Sequence, residues 1–382
     1  MLCISAAAQQ SVLDKLTQPH NIDTNYIAMP SHKWQVGVSG RYTYSKFHTK
    51  IPIPESYQEQ IVEAMPDASG LLNYDLDLHS DATKVGFFAG YGTLRASLGF
   101  TINNRDKSTD LSVECLGSKF GGLVNYHHSK QMHGQFYDAL GSVADILVYN
   151  VFDIPIDRQE IIKENTTDVQ SGFVSTTTLH MQGHYVANSK RFAYSAARTG
   201  TRLQTRSAGS FIALADFYFS RAQFKEGIFL GNNERFRTYK IAIGGGYGYN
   251  WTPNQGRFVL SASALPMLNL VSWARHKTQC PYASREDFFK QHPTYTEEEY
   301  QAMLNSYDPH GTGSAHHIQH TVNRAGRINF GLTARVAAIW NFSDHMFANA
   351  FCTYQYLRHK NKEDYRVIQT DTYAQLSLGY RF

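Results

Sequence analysis

Long apolar runs are missing from this sequence of 382 residues. None approaches the ~18 uncharged apolar residues that a spanning helix needs, and the mean hydropathy is negative. A helix-spanning membrane protein is excluded. Cysteine is scarce: Cys3, Cys115, Cys280 and Cys352 have neither zinc nor redox spacing, so no zinc module or disulfide framework is expected. Charge of one sign is also lacking. The net charge is +4 with the basic residues dispersed, which leaves no electrostatic footprint for a nucleic-acid partner.

Catalytic motifs are equally thin. Val38-Ser39-Gly40 lacks the glycine spacing of a nucleophile elbow, and Ser207-Ala208-Gly209-Ser210 has no His or Asp partner nearby in sequence. His128-Ser129 lacks the separation that would put a His/Ser pair on one strand face. Gly244-Gly245-Gly246-Tyr247-Gly248 has neither the lysine nor the following helix of a phosphate loop, and reads as room for strand curvature or a neighbouring side chain. The expectation is a protein without cofactor and without enzymatic activity.

What is abundant is aromatic residues and glycine: 24 Tyr, 23 Phe and 28 Gly. They are arranged with a period of two, the signature of strands with unlike faces. Tyr239, Ile241, Ile243, Gly245, Tyr247, Tyr249 and Trp251 alternate with Lys240, Ala242, Gly244, Gly246, Gly248 and Asn250. Leu94–Ile102, Ile328–Phe342 and Ala374–Phe382 repeat the pattern. Twelve strands are predicted, within a range of ten to fourteen: 34–47, 71–79, 83–91, 94–102, 110–127, 172–187, 207–221, 236–251, 257–273, 325–342, 346–358 and 366–382. The fold class is all-β, a transmembrane antiparallel up-and-down barrel. In 207–221 both rows are apolar and the facing is ambiguous.

Connector lengths indicate how such a barrel would sit. Long gaps at 48–70, 128–171, 222–235 and 274–324 follow odd strands; short ones at 80–82, 103–109, 252–256 and 343–345 follow even strands. The turn near Gly92 and the 359–365 link are exceptions. Long loops on one side and short turns on the other is the outer-membrane arrangement, with both termini periplasmic. Connector 188–206 misfits, and reads either as a periplasmic excursion or as a segment folded into the lumen. Residues 1–10, with Ser5-Ala6-Ala7-Ala8, read as the remnant of a secretory signal peptide. Residues 11–33 are then a periplasmic N-terminal segment. Residues 34–382 form the barrel, with extracellular loops 48–70, 128–171 and 274–324.

Trp34, Trp251, Trp273, Trp340, Phe342 and Tyr380 fall at strand ends, as an interfacial aromatic girdle would. Tyr380 and the terminal Phe382 make the alternating aromatic end that outer-membrane assembly machinery reads. Cys115 and Cys352 sit on lipid-facing rows. The lumen rows collect Arg41, Lys84, Arg95, Lys240, Arg335 and Arg381 with Asp75, Asp77, Glu114, Asp216 and Asp371. The two signs nearly cancel, which gives no obvious ion selectivity. His310, His316, His317 and His320 read as solvated loop histidines, with a surface metal site at His316 and His320 the lesser alternative. Thr296-Glu297-Glu298-Glu299 opens a short helix with a capping box, and 55–65 is a second helical stretch.

Beyond these patterns the chain resembles a known family, the outer-membrane barrel-like proteins catalogued as domain of unknown function 4421. The resemblance rests on Asp23-Thr24-Asn25-Tyr26-Ile27, Lys190–Ala197, Arg206–Phe211 and the Gly244–Trp251 strand, and runs from about Asp23 to Phe382. At Ser195 that family more often has proline, which bears on the rigidity of the turn. The resemblance implies a barrel and a Gram-negative surface, and no activity. Two functions stay open: a passive, porin-like channel or transporter for small solutes, or a structural or assembly barrel whose loops bind an envelope protein or surface glycan. The partners implied are outer-membrane lipid and lipopolysaccharide, the barrel-assembly machinery and an envelope protein.

Overall fold

A computed structural model of the chain describes residues 22–53, 55–102, 107–224, 235–279, 285–301, 319–360 and 366–382. The signal-like stretch 1–10, Cys3, Cys280, His310, His316 and His317 lie outside these residues. His320 is described only as part of a strand. Twelve strands close into a ring: β1 Trp34–Pro52, β2 Asn73–Tyr91, β3 Leu94–Thr101, β4 Ser108–Leu116, β5 Phe120–Tyr137, β6 Thr166–Val186, β7 Ala208–Phe224, β8 Arg235–Trp251, β9 Phe258–Gln279, β10 Asn329–Asn341, β11 Met346–Lys360 and β12 Arg366–Arg381. Each pairs antiparallel with its sequence neighbours, and β12 closes on β1 from Arg366↔Lys50 to Arg381↔Gln35. A further piece, Gln319–Ala325, prolongs β10 along the far end of β9.

The strand number agrees with the sequence expectation, but through two compensating errors. Segments 71–79 and 83–91 are one strand, β2, whose ladder with β1 runs unbroken through Ser45↔Ser80, Tyr44↔Asp81 and Thr43↔Ala82. Segment 110–127 is two strands, β4 and β5, joined by a turn at 117–119. The physical reason lies in what surrounds the strand. Along the upper part of β2, Leu76 and Leu78 point inward and are fully buried, while Asp75 and Asp77 point out and meet His48 and Lys46. Lower down, Val85 and Phe87 point out and Lys84 points in. The parity of the backbone never changes; the outside changes from water to hydrocarbon, so the apolar row switches faces. That switch mimics a turn. Asp75 and Asp77, expected in the lumen, are therefore on the outer face.

At 117–119 the opposite happens. Leu111, Val113 and Cys115 are exposed at odd positions, and Phe120, Val124 and Tyr126 at even ones. The parity shift marks a real hairpin, and a Cβ on Gly117 would lie 2.4 Å from the Phe120 carbonyl oxygen. With these strands corrected, the Gly92 turn falls on the short-turn end with 117–119, 252–257 and 342–345, and 102–107 moves to the long-loop end. The long loops are also shorter than expected, because strands reach Pro52, Tyr137 and Gln279 before 48–70, 128–171 and 274–324 leave the sheet.

The exterior between the ends is apolar. Val36, Val38, Phe87, Leu98, Phe100, Ile241, Ile243, Leu268, Val336, Leu376 and Leu378 are exposed there, and Cys352 is on the same outer face. On β7 the ambiguity resolves: Phe211 is exposed, whereas Ile212 and Leu214 are buried inside. Exposed Trp34, Trp251, Trp340, Phe342, Tyr380 and Phe382 rim the short-turn end. Nearer the other end, Trp273 pairs with Tyr239, which pairs with Phe219. On β8, Tyr239 and Trp251 are twelve positions apart. At roughly 3.4 Å per residue and a tilt of about 40°, that is about 31 Å of height, enough to cross the hydrocarbon core. A closed sheet with this belt is a transmembrane barrel.

At the long-loop end, α1 Glu55–Ala64, α2 Ala139–Val151 and α3 Arg158–Glu164 pack around Ile53, Leu71, Leu72, Ile146 and Ile161. The α2 and α3 helices start at Asp138 and Asp157, whose carboxylates accept from the amides of Leu140 and Gln159 at 2.9 Å each. The expected capping box is present, with Thr296 N donating to Glu299 Oε2 at 2.7 Å.

Candidate functional site

The interior is divided into three levels. At the long-loop end the inward rows of β1, β2, β5, β6, β7 and β8 carry Phe47, Ile51, Leu76, Leu78, Met132, Phe136, Val174, Phe224 and Phe236, which meet in one buried apolar cluster. Phe224 packs edge-to-face on Phe236 at 5.6 Å between centroids. This is an apolar seal across the lumen.

At the short-turn end the connector between β6 and β7 folds into the barrel, which settles the alternative left open for 188–206. From Phe192 to Arg202 every residue is buried. A single turn, α4 Ala196–Thr199, ends at Gly200 with φ +66°, a left-handed cap that glycine adopts without strain. Phe192 and Tyr194 pack on Ile212, Leu214, Leu265 and Met267, and Ala197 packs on Phe88, Ile339 and Phe347. The wall also bonds the plug. Asn250 Nδ2 donates to the Ala193 carbonyl at 2.8 Å, Asn349 Nδ2 to that of Arg198 at 2.5 Å, and Arg381 Nη2 to that of Gly200 at 3.0 Å. Arg198 Nη2 reaches Glu114 Oε1 at 2.8 Å, and Arg335 donates to the Tyr194 hydroxyl. The connector joins no ring strand. Its β-pairing is with the N-terminal segment, Ile27↔Gln204 and Ala28↔Leu203.

Between seal and plug lies a polar chamber of about 120 Å³. Of the residues expected in the lumen, Arg41, Arg95, Glu114, Arg335 and Asp371 line it, while Lys84 and Asp216 sit behind its wall as partners of Asp110 and His180. Lys240 is fully buried with its Nζ 5.9 Å from the Tyr218 ring, and Arg381 belongs to the plug contacts. Asp371 Oδ2 accepts from the Tyr218 hydroxyl at 3.1 Å. Two clusters were missed from the sequence. Lys84 Nζ lies 2.8 Å from Asp110 Oδ2, and Asp110 Oδ1 also meets His127 Nδ1. His180 Nε2 lies 2.7 Å from Asp216 Oδ2, where Gln182 Nε2 also donates at 3.0 Å. Asp110 and His127 sit on adjacent strands and are cross-strand partners, so only the hairpin register could have revealed them.

Charge is unevenly satisfied. The carboxylates of Asp110, Glu114 and Asp216 each hold a cation or His, but Arg41, Arg95 and Arg335 take part in no ion pair among the described residues. Among these residues no cluster of His, Cys, Asp and Glu could hold a metal ion.

Comparisons with known proteins agree with this architecture. The family model described as Domain of unknown function (DUF4421) matches residues 21–382. No curated protein matches the sequence. Among solved structures, the outer membrane protease OmpT from Escherichia coli is similar at 7% identity and a TM-score of 0.38, over 94% of this chain and 100% of that one. The Pseudomonas putida toluene transporter TodX is similar at 8% identity and a TM-score of 0.28, over 92% and 91%. The translocator domain of autotransporter NalP from Neisseria meningitidis gives 12% and 0.32, over 99% and 95%. At such identities the likeness concerns the barrel alone. The expectation that this chain is not an enzyme is nevertheless withdrawn. A protease stands among the similar barrels, and the motifs whose absence was weighed belong to other folds. Side chains that meet only through barrel register, as Asp110 and His127 do, escape any search by sequence spacing.

Proposed function

The chain belongs to the DUF4421 family, and from that premise we propose that this outer-membrane barrel is a gated conduit for small polar solutes, closed in the conformation described. The observation that carries the reading is how the lumen is closed. The plug is held by side chains and apolar packing, with no rung in the barrel ladder, so it can leave without opening the sheet. The seal opposite is a hydrophobic constriction of the kind that gates by dewetting. A polar chamber between two removable barriers is the layout of a closed passage.

Conductance across planar bilayers tests it. The intact chain should be nearly silent. Replacing 190–203 by a Gly/Ser linker, together with Phe224→Ala and Phe236→Ala, should produce steady openings. A silent combined variant that still inserts would end the conduit reading.

One observation favours a second reading, a scaffold that binds an envelope partner. On and just after α2, Leu147, Val151 and Phe152 expose 52%, 68% and 71% of their surface. Under that reading Val151→Asp and Phe152→Asp abolish co-purification of the partner and leave conductance of the opened variant unchanged. Both readings take the termini as periplasmic, the outer face as meeting lipid and lipopolysaccharide, and Tyr380 and Phe382 as the signal for the assembly machinery.

A further inference from the structure

Arg41 is inward on β1, 2% exposed, with cross-strand neighbours Lys84 and Gln375. Two like charges side by side on one face repel. Lys84 is compensated by Asp110 at 2.8 Å; Arg41 is not. Its Nε donates to Ser39 Oγ at 3.1 Å, and neither Nη1 nor Nη2 finds an acceptor among the described residues. The guanidinium lies across β2 and β3 over two glycines. A Cβ on Gly99 would be 2.8 Å from Nη1 and one on Gly86 2.9 Å from Cζ. The sheet is thus hollowed to admit a charged fork, yet gives its two terminal nitrogens no acceptor among the described residues.

Arg95 lines the same chamber, 3% exposed, with its guanidinium 3.7 Å above the Phe88 ring. Its Nη1 reaches the Thr199 carbonyl at 3.5 Å, and Nη2 has no acceptor among the described residues. A buried guanidinium is costly unless its protons are bonded, and two such groups on one wall are complementary to a bidentate oxyanion. Glu114 adds a constraint. Its Oε1 accepts from Arg198 at 2.8 Å, and its Oε2 is buried without a donor among the described residues. That oxygen suits a ligand carrying a hydroxyl beside its negative charge.

We propose that the chamber wall at Arg41 and Arg95 binds a compact, hydroxyl-bearing oxyanion such as hydrogen phosphate or a small hydroxy acid. The proposal deepens the conduit reading and rests on it, the anion being the solute that passes. At ~10–15 Å³ per enclosed water, a chamber of about 120 Å³ has room for several waters, and so for a phosphate or a two- to three-carbon acid.

The full chain, folded from urea into detergent micelles so that ligand has access, is heated in phosphate, glycolate or chloride at one ionic strength. Phosphate or glycolate should raise the unfolding midpoint saturably relative to chloride, and the two arms separate an inorganic from an organic source. Arg41→Gln and Arg95→Gln should each weaken that dependence at least tenfold while the chain still migrates as a folded barrel. If Arg41→Gln does not fold, Gly99→Ala displaces the guanidinium with no loss of charge and should weaken it likewise. A wild-type midpoint that neither anion moves overturns the site, as does an undiminished response in a folded variant. Anion-dependent stabilisation with a silent opened barrel keeps the site and removes the conduit; conductance without any anion response does the reverse.

Discussion

Arg381, the last residue of β12, donates from Nη2 to the carbonyl of Gly200, 3.0 Å away and 181 positions earlier in the chain. The end of the barrel thereby holds the tip of the plug. Its guanidinium also lies 4.3 Å over the Phe347 ring and bonds Asn341 Oδ1 at 2.9 Å, so the arm is fixed before it reaches the plug. A Cβ on Gly200 would meet Arg381 Nη2 at 2.7 Å.

Arg381→Gln should loosen the plug and spare the barrel. Amide exchange at 196–202 is expected to quicken by about tenfold or more, which corresponds to the ~1.5–3 kcal/mol of a charged hydrogen bond. Exchange in β12 should stay slow. Equal quickening in both would mean that Arg381 stabilises the strand itself.

Lipid-facing and water-facing sites on the exterior should respond differently to charge. Val336 is 54% exposed within the apolar belt, so Val336→Arg is expected to cost ~2–4 kcal/mol in liposome folding titrations. Lys46, whose pair with Asp77 leaves both side chains over 40% exposed, should lose less than ~1 kcal/mol on replacement by Ala. Similar costs at the two sites would contradict the depth assigned to them.

Removing Phe382 should slow insertion more than it weakens the finished barrel. Trp34 and Phe382 exchange backbone hydrogen bonds of 3.2 and 3.0 Å where the ring closes, yet the Phe382 ring is more than half exposed. Until closure, β12 is an open edge that must be recognised. Pulse-chase of surface exposure should show delayed arrival, with the urea midpoint of the inserted fraction nearly unchanged.

Acid should release the N-terminal segment. Asp23 accepts from the Asn25 amide at 3.1 Å and from Arg191 Nε at 3.3 Å. These bonds, the Asn25 amide foremost, hold its carboxyl below the usual range. Its contribution is therefore present above the unfolded value of about 3.9 and fades as pH falls through the lower folded value. Limited proteolysis of 22–33 should accelerate near pH 3 relative to pH 6. In Asp23→Asn the difference should vanish.

Much of this protein was decided by local pattern. Alternation of period two sets strands, the aromatic ends of those strands set the belt, and Gly92 or Gly256 sets where a chain must turn. These are nearest-neighbour properties, and residues such as Leu376, Leu378 and Trp340 could be assigned to the outer face from parity alone. The hairpin at Gly117, which the single strand expected over 110–127 ran through, is marked only by the shift of apolar positions from odd to even. What sequence could not decide is anything that depends on the medium beyond the strand or on partners across the lumen. The outer row of β2 changes from Val85 and Phe87 to Asp77 and Asp75 on either side of Ser80, and the strand's own sequence does not separate such a change of medium from a turn. The lumen charges nearly cancel when summed along the chain, but a sum says nothing about pairing. Only closure of the ring and entry of the plug assign Glu114 to Arg198 and Asp110 to Lys84. Arg41 is then left facing the chamber beside Lys84 with no ion pair among the described residues, while Arg95 shares its cross-strand neighbour Glu114 with Arg198, because Coulomb energy follows distance in space and not position in the sequence.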